Sequence, residues 1–127
     1  MPKFFYFFSA IVWAILITVF CLVQFKTVPL GNVSHLDKVV HAFFYFVLTF
    51  LVQLNWRVSK LNWSYRTQAV VSVVGTILFG VLIEILQETC TATRHADVLD
   101  VIANSVGALL SVVAFKLYVR FKSKSVA

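Results

Sequence analysis

The sequence predicts an all-α protein, a four-helix transmembrane bundle with both termini in the cytoplasm. Three observations predict it. Hydrophobic residues make up 61% of the 127-residue chain and charged residues only 13%, with a mean hydropathy of +0.92. That leaves too little polar surface to clothe a water-soluble core. A bilayer core about 30 Å thick takes about 20 apolar residues per helix, so a chain of this length holds four spans and short connections in one domain. Finally, lysine and arginine crowd the ends that would share one side of the membrane, which sets orientation.

The first span covers about residues 4–25, F-F-Y-F-F-S-A-I-V-W-A-I-L-I-T-V-F-C-L-V-Q-F. It is apolar on all sides and longer than the roughly 7–15 residues of a signal-peptide core, so it is expected to stay uncleaved. Pro29, Gly31 and Asn32 then stop one helix, and Ser34 with Asp37 has the S-x-x-D spacing of a capping box for the next. The second span covers about 36–56 and closes on Trp56, an aromatic suited to the lipid–water boundary. The connection 57–68 is the most polar in the chain, with Arg57, Lys60, Arg66 and two aromatics, and belongs at a membrane surface. The third span covers about 69–89, where Gly75 and Gly80 are expected to let neighbouring helices approach closely. The fourth covers about 97–118 and carries a small-residue stripe at Ala103, Gly107 and Ser111.

With the N-terminus inside, the inner ends hold Lys3, Arg57, Lys60, Arg66, Lys116, Arg120, Lys122 and Lys124, and the outer ends only Lys26, Lys38 and Arg94. This explains the net charge of +6 as membrane topology, and no nucleic-acid partner is expected, because the basic residues form no stripe interleaved with aromatics. Cys21 and Cys90 are too few for a disulfide framework and form no C-x-x-C pair; both fall near the outer end, so whether they join is a matter of distance.

All five acids and all three histidines fall at that same outer end. Acids contribute little to orientation, so topology does not require them there. Asp37, Lys38, His41 and Tyr45 share a face of the second helix by their i, i+4, i+8 spacing. Glu84, Gln87 and Glu88 lie on the third, and Asp97, Asp100 and Asn104 line one face of the fourth. At a rise of about 1.5 Å per residue, Asn104 lies about 10 Å below Asp97, so the set sits at outer-leaflet depth. An ionised side chain in the bilayer costs roughly 2.5–3.5 kcal/mol on insertion scales. Polar faces on three helices that cannot point at lipid therefore point at each other, predicting a polar cavity, open outward, with Arg94 and His95 on its rim.

Each residue also has a bland explanation. Asp37 and Asp97 can be helix caps, Tyr45 a core residue, His41 a satisfied hydrogen-bonding histidine, and Asn104 a bond between helices worth roughly 1 kcal/mol. Glu84 is hardest to explain so, embedded in G-V-L-I-E-I-L, because it needs Lys38, Arg94 or a proton as partner.

The patterns D-K-x-x-H-x-x-x-Y (Asp37, Lys38, His41, Tyr45), E-x-x-Q (Glu84, Gln87) and R-x-x-D-x-x-D-x-x-x-N-x-x-G (Arg94, Asp97, Asp100, Asn104, Gly107) together resemble the VanZ-like family of small bacterial membrane proteins. The resemblance covers about Asp37 to Ser111, with Ser111 standing where a second glycine is expected. It implies a four-helix protein of the bacterial cell membrane. The family's namesake is associated with resistance to the glycopeptide teicoplanin.

Two functions fit these residues. One is binding or modulation of an outer-leaflet amphiphile, a lipid-linked cell-wall intermediate or a glycopeptide antibiotic, with Lys38, Tyr45, Gln87, Arg94, Asp97 and Asn104 as ligand-binding residues. The other is an enzyme acting on a lipid headgroup or lipid-linked sugar, with Asp37, His41, Glu84 and Asp100 as candidate acids and bases and Arg94 neutralising phosphate. No G-x-S-x-G or H-E-x-x-H motif supplies a nucleophile or a zinc pair. His41, His95, Asp97, Asp100 and Glu84 are permissible metal ligands, but their spacing matches no ligand motif, so neither metal nor cofactor is expected. A third explanation, a polar network that only specifies helix packing, needs no ligand.

Overall fold

The computed structural model describes residues 3–23, 34–59, 61–92 and 95–124. The turn built on Pro29, Gly31 and Asn32, the Ser34 cap side chain, Lys60 and Arg94 lie outside the described residues. The four helices are α1 (Lys3–Leu22), α2 (Ser34–Val58), α3 (Tyr65–Cys90) and α4 (Val98–Lys124). Each is long and apolar enough to cross a membrane.

The helix boundaries differ most from the sequence expectation at the start of α3 and the end of α4. The surface connection is shorter, because α3 already begins at Tyr65. Ser64 holds extended backbone and its Oγ accepts the Thr67 N–H at 3.1 Å, capping a first turn that the polar Arg66 and Gln68 had disguised as loop. At the other end α4 continues to Lys124 instead of stopping near Tyr118. Lysine and arginine are good helix formers whose long stems reach water, so charge alone does not end a helix here.

Packing is led by α2 against α4. A Cβ added at Gly107 would stand 2.0 Å from the Ala42 carbonyl oxygen and 3.0 Å from its Cα, so the two backbones touch at that point. Ser111, one turn on, is buried and its Oγ accepts Gln53 Nε2 from α2, so Gly107 and Ser111 of the small-residue stripe face α2. Gly80 provides the second close approach, since a Cβ there would lie 2.9 Å from Asn104 Nδ2 and 3.2 Å from the Tyr45 ring. Gly75 provides none: nothing lies within 4 Å of its missing Cβ, because it faces away from the bundle.

Helix α1 lies against α2 and α3 through two side chain to backbone bonds. Trp13 Nε1 donates to the Phe44 carbonyl at 3.0 Å, and Gln87 Nε2 donates to the Cys21 carbonyl at 2.9 Å. Ile17 and Cys21 are buried there, while Phe4, Phe8, Val12 and Ile15 face outward, as lipid-facing residues do. Cys90 is exposed and no disulfide joins it to buried Cys21. At the far end of the bundle the Trp56 and Trp63 rings pack at 4.8 Å across the α2–α3 turn.

Candidate functional site

The register set by Gly107 against Ala42 decides what meets what. His41 precedes Ala42 on α2, and Asn104 and Asp100 lie one and two turns before Gly107 on α4, so the polar residues at the start of both helices come face to face.

Lys38 is the hub. Its Nζ donates to both Asp97 Oδ2 and Asp100 Oδ1, and stands 4.0 Å from Asp37 Oδ2. Beneath it His41 Nδ1 is 3.2 Å from Asn104 Oδ1, and His41 Nε2 is 3.8 Å from Asp100 Oδ2. An amide oxygen only accepts, so this contact makes Nδ1 the protonated nitrogen. Asp97 does two things at once. Its Oδ1 accepts the Leu99 N–H at 2.8 Å, capping α4, while Oδ2 takes Lys38. The Lys38 ammonium, and after it the Leu99 N–H, hold the Asp97 carboxyl below the usual carboxylate range.

Helix α3 contributes from behind. Glu84 Oε2 accepts the Asp97 N–H at 2.9 Å, and its buried Oε1 has no hydrogen-bond partner among the described residues. Glu88, by contrast, is exposed and turns to the loop, accepting the Ala96 N–H at 2.8 Å with His95 Nδ1 at 3.5 Å. His95 thus joins Glu88 instead of the Lys38 cluster.

Exposure is graded along the cluster. Side-chain exposure falls from 46% at Asp37 and 42% at Asp97, through 26% at Lys38, to 7% at Asp100 and 4% at His41. A half-solvated rim therefore leads to a buried floor of Asp100, His41, Asn104 and Glu84.

A family model described as VanZ/LLP1 matches residues 3–119, nearly the whole chain. The chain belongs to the VanZ/LLP1 family. It has no significant match among curated proteins or solved structures. Family membership and the four apolar helices make it a multi-pass membrane protein.

Not every sequence-predicted residue of this VanZ/LLP1 protein reaches the cluster. Gln87 points to α1, where its amide holds the Cys21 carbonyl. Tyr45 is fully buried between Gly80 and Phe79, with a hydroxyl that has no hydrogen-bond partner among the described residues. Arg94 lies outside the described residues.

Below the cluster the structure adds residues that the sequence reading passed over. Thr49 and Thr76 hydroxyls bond at 3.0 Å, and Gln53 Nε2 donates to Ser111 Oγ and to the Thr49 carbonyl, each at 3.4 Å. The signal was present: His41, Tyr45, Thr49 and Gln53 recur every four residues, so the buried face of α2 carries a polar atom at every turn. The opposite end of the bundle differs in kind. A cavity of about 380 Å³ there is lined, among the described residues, by Phe4, Phe7, Phe8, Asn55 and Ser59, none of them ionisable.

Proposed function

We propose that the charged end of the bundle faces out of a bacterial cell membrane and binds the polar headgroup of an outer-leaflet amphiphile. One observation carries this reading: carboxylates and an ammonium from α2 and α4 descend from a half-exposed rim to a buried floor within the span itself. Charges so placed are expensive in a bilayer, and a purely structural network needs no exposed rim.

The sign of the charge narrows the ligand. Asp37, Asp97 and Asp100 gather around one lysine with Glu84 behind them on the Asp97 N–H, and carboxylates accept hydrogen bonds without donating them. Sugar hydroxyls and amines supply the matching donors, and bare phosphate does not. A lipid-linked cell-wall sugar and a glycopeptide such as teicoplanin share that chemistry.

The test is native mass spectrometry of protein purified from a bacterial membrane, followed by back-titration with lipid-linked disaccharide or teicoplanin. Wild type should retain one amphiphile per chain, and Asp97→Ala together with His41→Ala should lower retention at least tenfold. Retention of the same lipid by wild type and the double variant would remove the reading. Retention of the lipid-linked sugar alone, or of the antibiotic alone, identifies the natural class. The orientation of His41 by Asn104 favours a second reading, acid–base catalysis on the same headgroup. Turnover of the labelled lipid by wild type that is lost in His41→Ala separates catalysis from binding.

A further inference from the structure

We propose that Asp37, His41 and Asp100 form a binding site for one divalent transition-metal cation, of the Zn²⁺ or Mn²⁺ class. The three residues each offer a ligand atom, and these atoms all lie within 4.8 Å of one another. Asp37 and His41 are one turn apart on α2, and Asp100 arrives from α4, so the site exists only when those helices are packed.

A cluster of this composition is not by itself a site, and three further features point to a cation. First, His41 is buried and its Nδ1 faces Asn104 Oδ1, so a neutral ring with its proton on Nδ1 turns the Nε2 lone pair toward Asp100 Oδ2 at 3.8 Å, with no hydrogen bond to Nε2 among the described residues. Two acceptors so placed repel unless a proton or a metal cation stands between them, and metal titration tells the two apart. Ligand atoms each about 2.1 Å from a tetrahedral ion are about 3.4 Å apart, so a small rotation of either side chain closes the gap. A histidine that binds a metal through one ring nitrogen typically has the other held by such an outer hydrogen bond.

Second, the two oxygens of Asp100 are divided. Oδ1 takes the Lys38 ammonium and Oδ2 turns to His41, so a metal on Oδ2 does not displace the lysine. Third, the described residues of the cluster carry more carboxylates than ammonium groups. Lys38 serves Asp97 and Asp100, while buried Glu84 keeps one oxygen, Oε1, without a hydrogen-bond partner among the described residues. A dication offsets that excess in a region where water is scarce. The imidazole decides the class. Nitrogen beside two carboxylate oxygens suits Zn²⁺ or Mn²⁺, whereas Mg²⁺ and Ca²⁺ prefer oxygen alone.

The metal and headgroup readings use the same end of the bundle, but metal binding needs no amphiphile. The experiment therefore uses the full chain in detergent, stripped with chelator and delipidated, and titrated calorimetrically with ZnCl₂, MnCl₂ or MgCl₂, with metal content read by mass spectrometry. Expected is one equivalent of Zn²⁺ or Mn²⁺ per chain, at least tenfold tighter than Mg²⁺. Affinity should fall at least tenfold in Asp100→Asn and in His41→Gln. Asp37→Asn, at a half-exposed helix end where folding is not at risk, should weaken binding about tenfold with an unchanged melting temperature. His95→Ala, whose ring meets Glu88 among the described residues, should bind as wild type does. Absence of stoichiometric binding by wild type overturns the proposal, as does binding that survives Asp37→Asn and His41→Gln or is lost in His95→Ala. Metal binding without retained amphiphile keeps this inference and sinks the headgroup reading. Retention of amphiphile by metal-free wild type that takes up no metal does the reverse.

Discussion

Gly107→Ala should be the most damaging added methyl among the described glycines, lowering stability by about 3 kcal/mol or more and removing most folded protein. The added Cβ would sit 2.0 Å from the Ala42 carbonyl oxygen and 2.8 Å from its carbon, where no flexible side chain can give way. Relief requires α2 and α4 to separate, which also parts Lys38 from Asp100 and His41 from Asn104. Destabilisation and loss of ligand should therefore come together. The companion variant is Gly75→Ala, with open space around it, where a better helix former is gained and stability should hold or rise by up to about 1 kcal/mol. Thermal unfolding in micelles compares the two. Equal melting temperatures for both variants would show that the α2–α4 approach is looser than described.

The second large effect is at Lys38. Lys38→Met keeps the apolar stem but leaves Asp100, whose side chain is only 7% exposed, without its ammonium. Removing one partner of a buried ion pair costs roughly 3–5 kcal/mol. Because Lys38 and Asp97 both reach solvent, the expected loss is smaller, about 2–3 kcal/mol. Removing both partners is the informative case. Lys38→Met with Asp100→Leu deletes the stranded charge and should recover most of that loss, giving a coupling energy of at least about 1.5 kcal/mol in a double-mutant cycle. Additive losses would mean that the ammonium does not hold Asp100.

Much of the fold was legible because bilayer thickness translates directly into runs of apolar residues, and four such runs became four helices. The candidate site was legible for the complementary reason. Polar side chains within those runs are conspicuous, and six of them, Lys38, His41, Glu84, Asp97, Asp100 and Asn104, are joined by direct polar contacts. Periodicity gave the face of each helix but not its partner. Gln87 lies three residues from Glu84, near enough in register to be taken for the same cluster, yet it faces α1. Gly75 and Gly80 are equally small in the sequence, and only the helix–helix geometry separates the one facing outward from the one under Tyr45. The deeper bonds of Thr49 and Gln53 were less legible because uncharged side chains carry no ionisation cost in the bilayer to mark them as a site.

Binding an outer-leaflet headgroup requires the charged end to face outward, and native Cys90 reports on this directly. It is exposed at the end of α3 beside the cluster, whereas Cys21 is buried. Ser123 lies at the opposite end, on the last turn of α4. A membrane-impermeant maleimide applied to intact cells should label Cys90, with the signal lost in Cys90→Ser. Ser123→Cys in that background should be labelled only after the membrane is opened. Labelling of Ser123→Cys in intact cells, with Cys90 protected until permeabilisation, would turn the site to the cytoplasm and contradict a role at the outer leaflet.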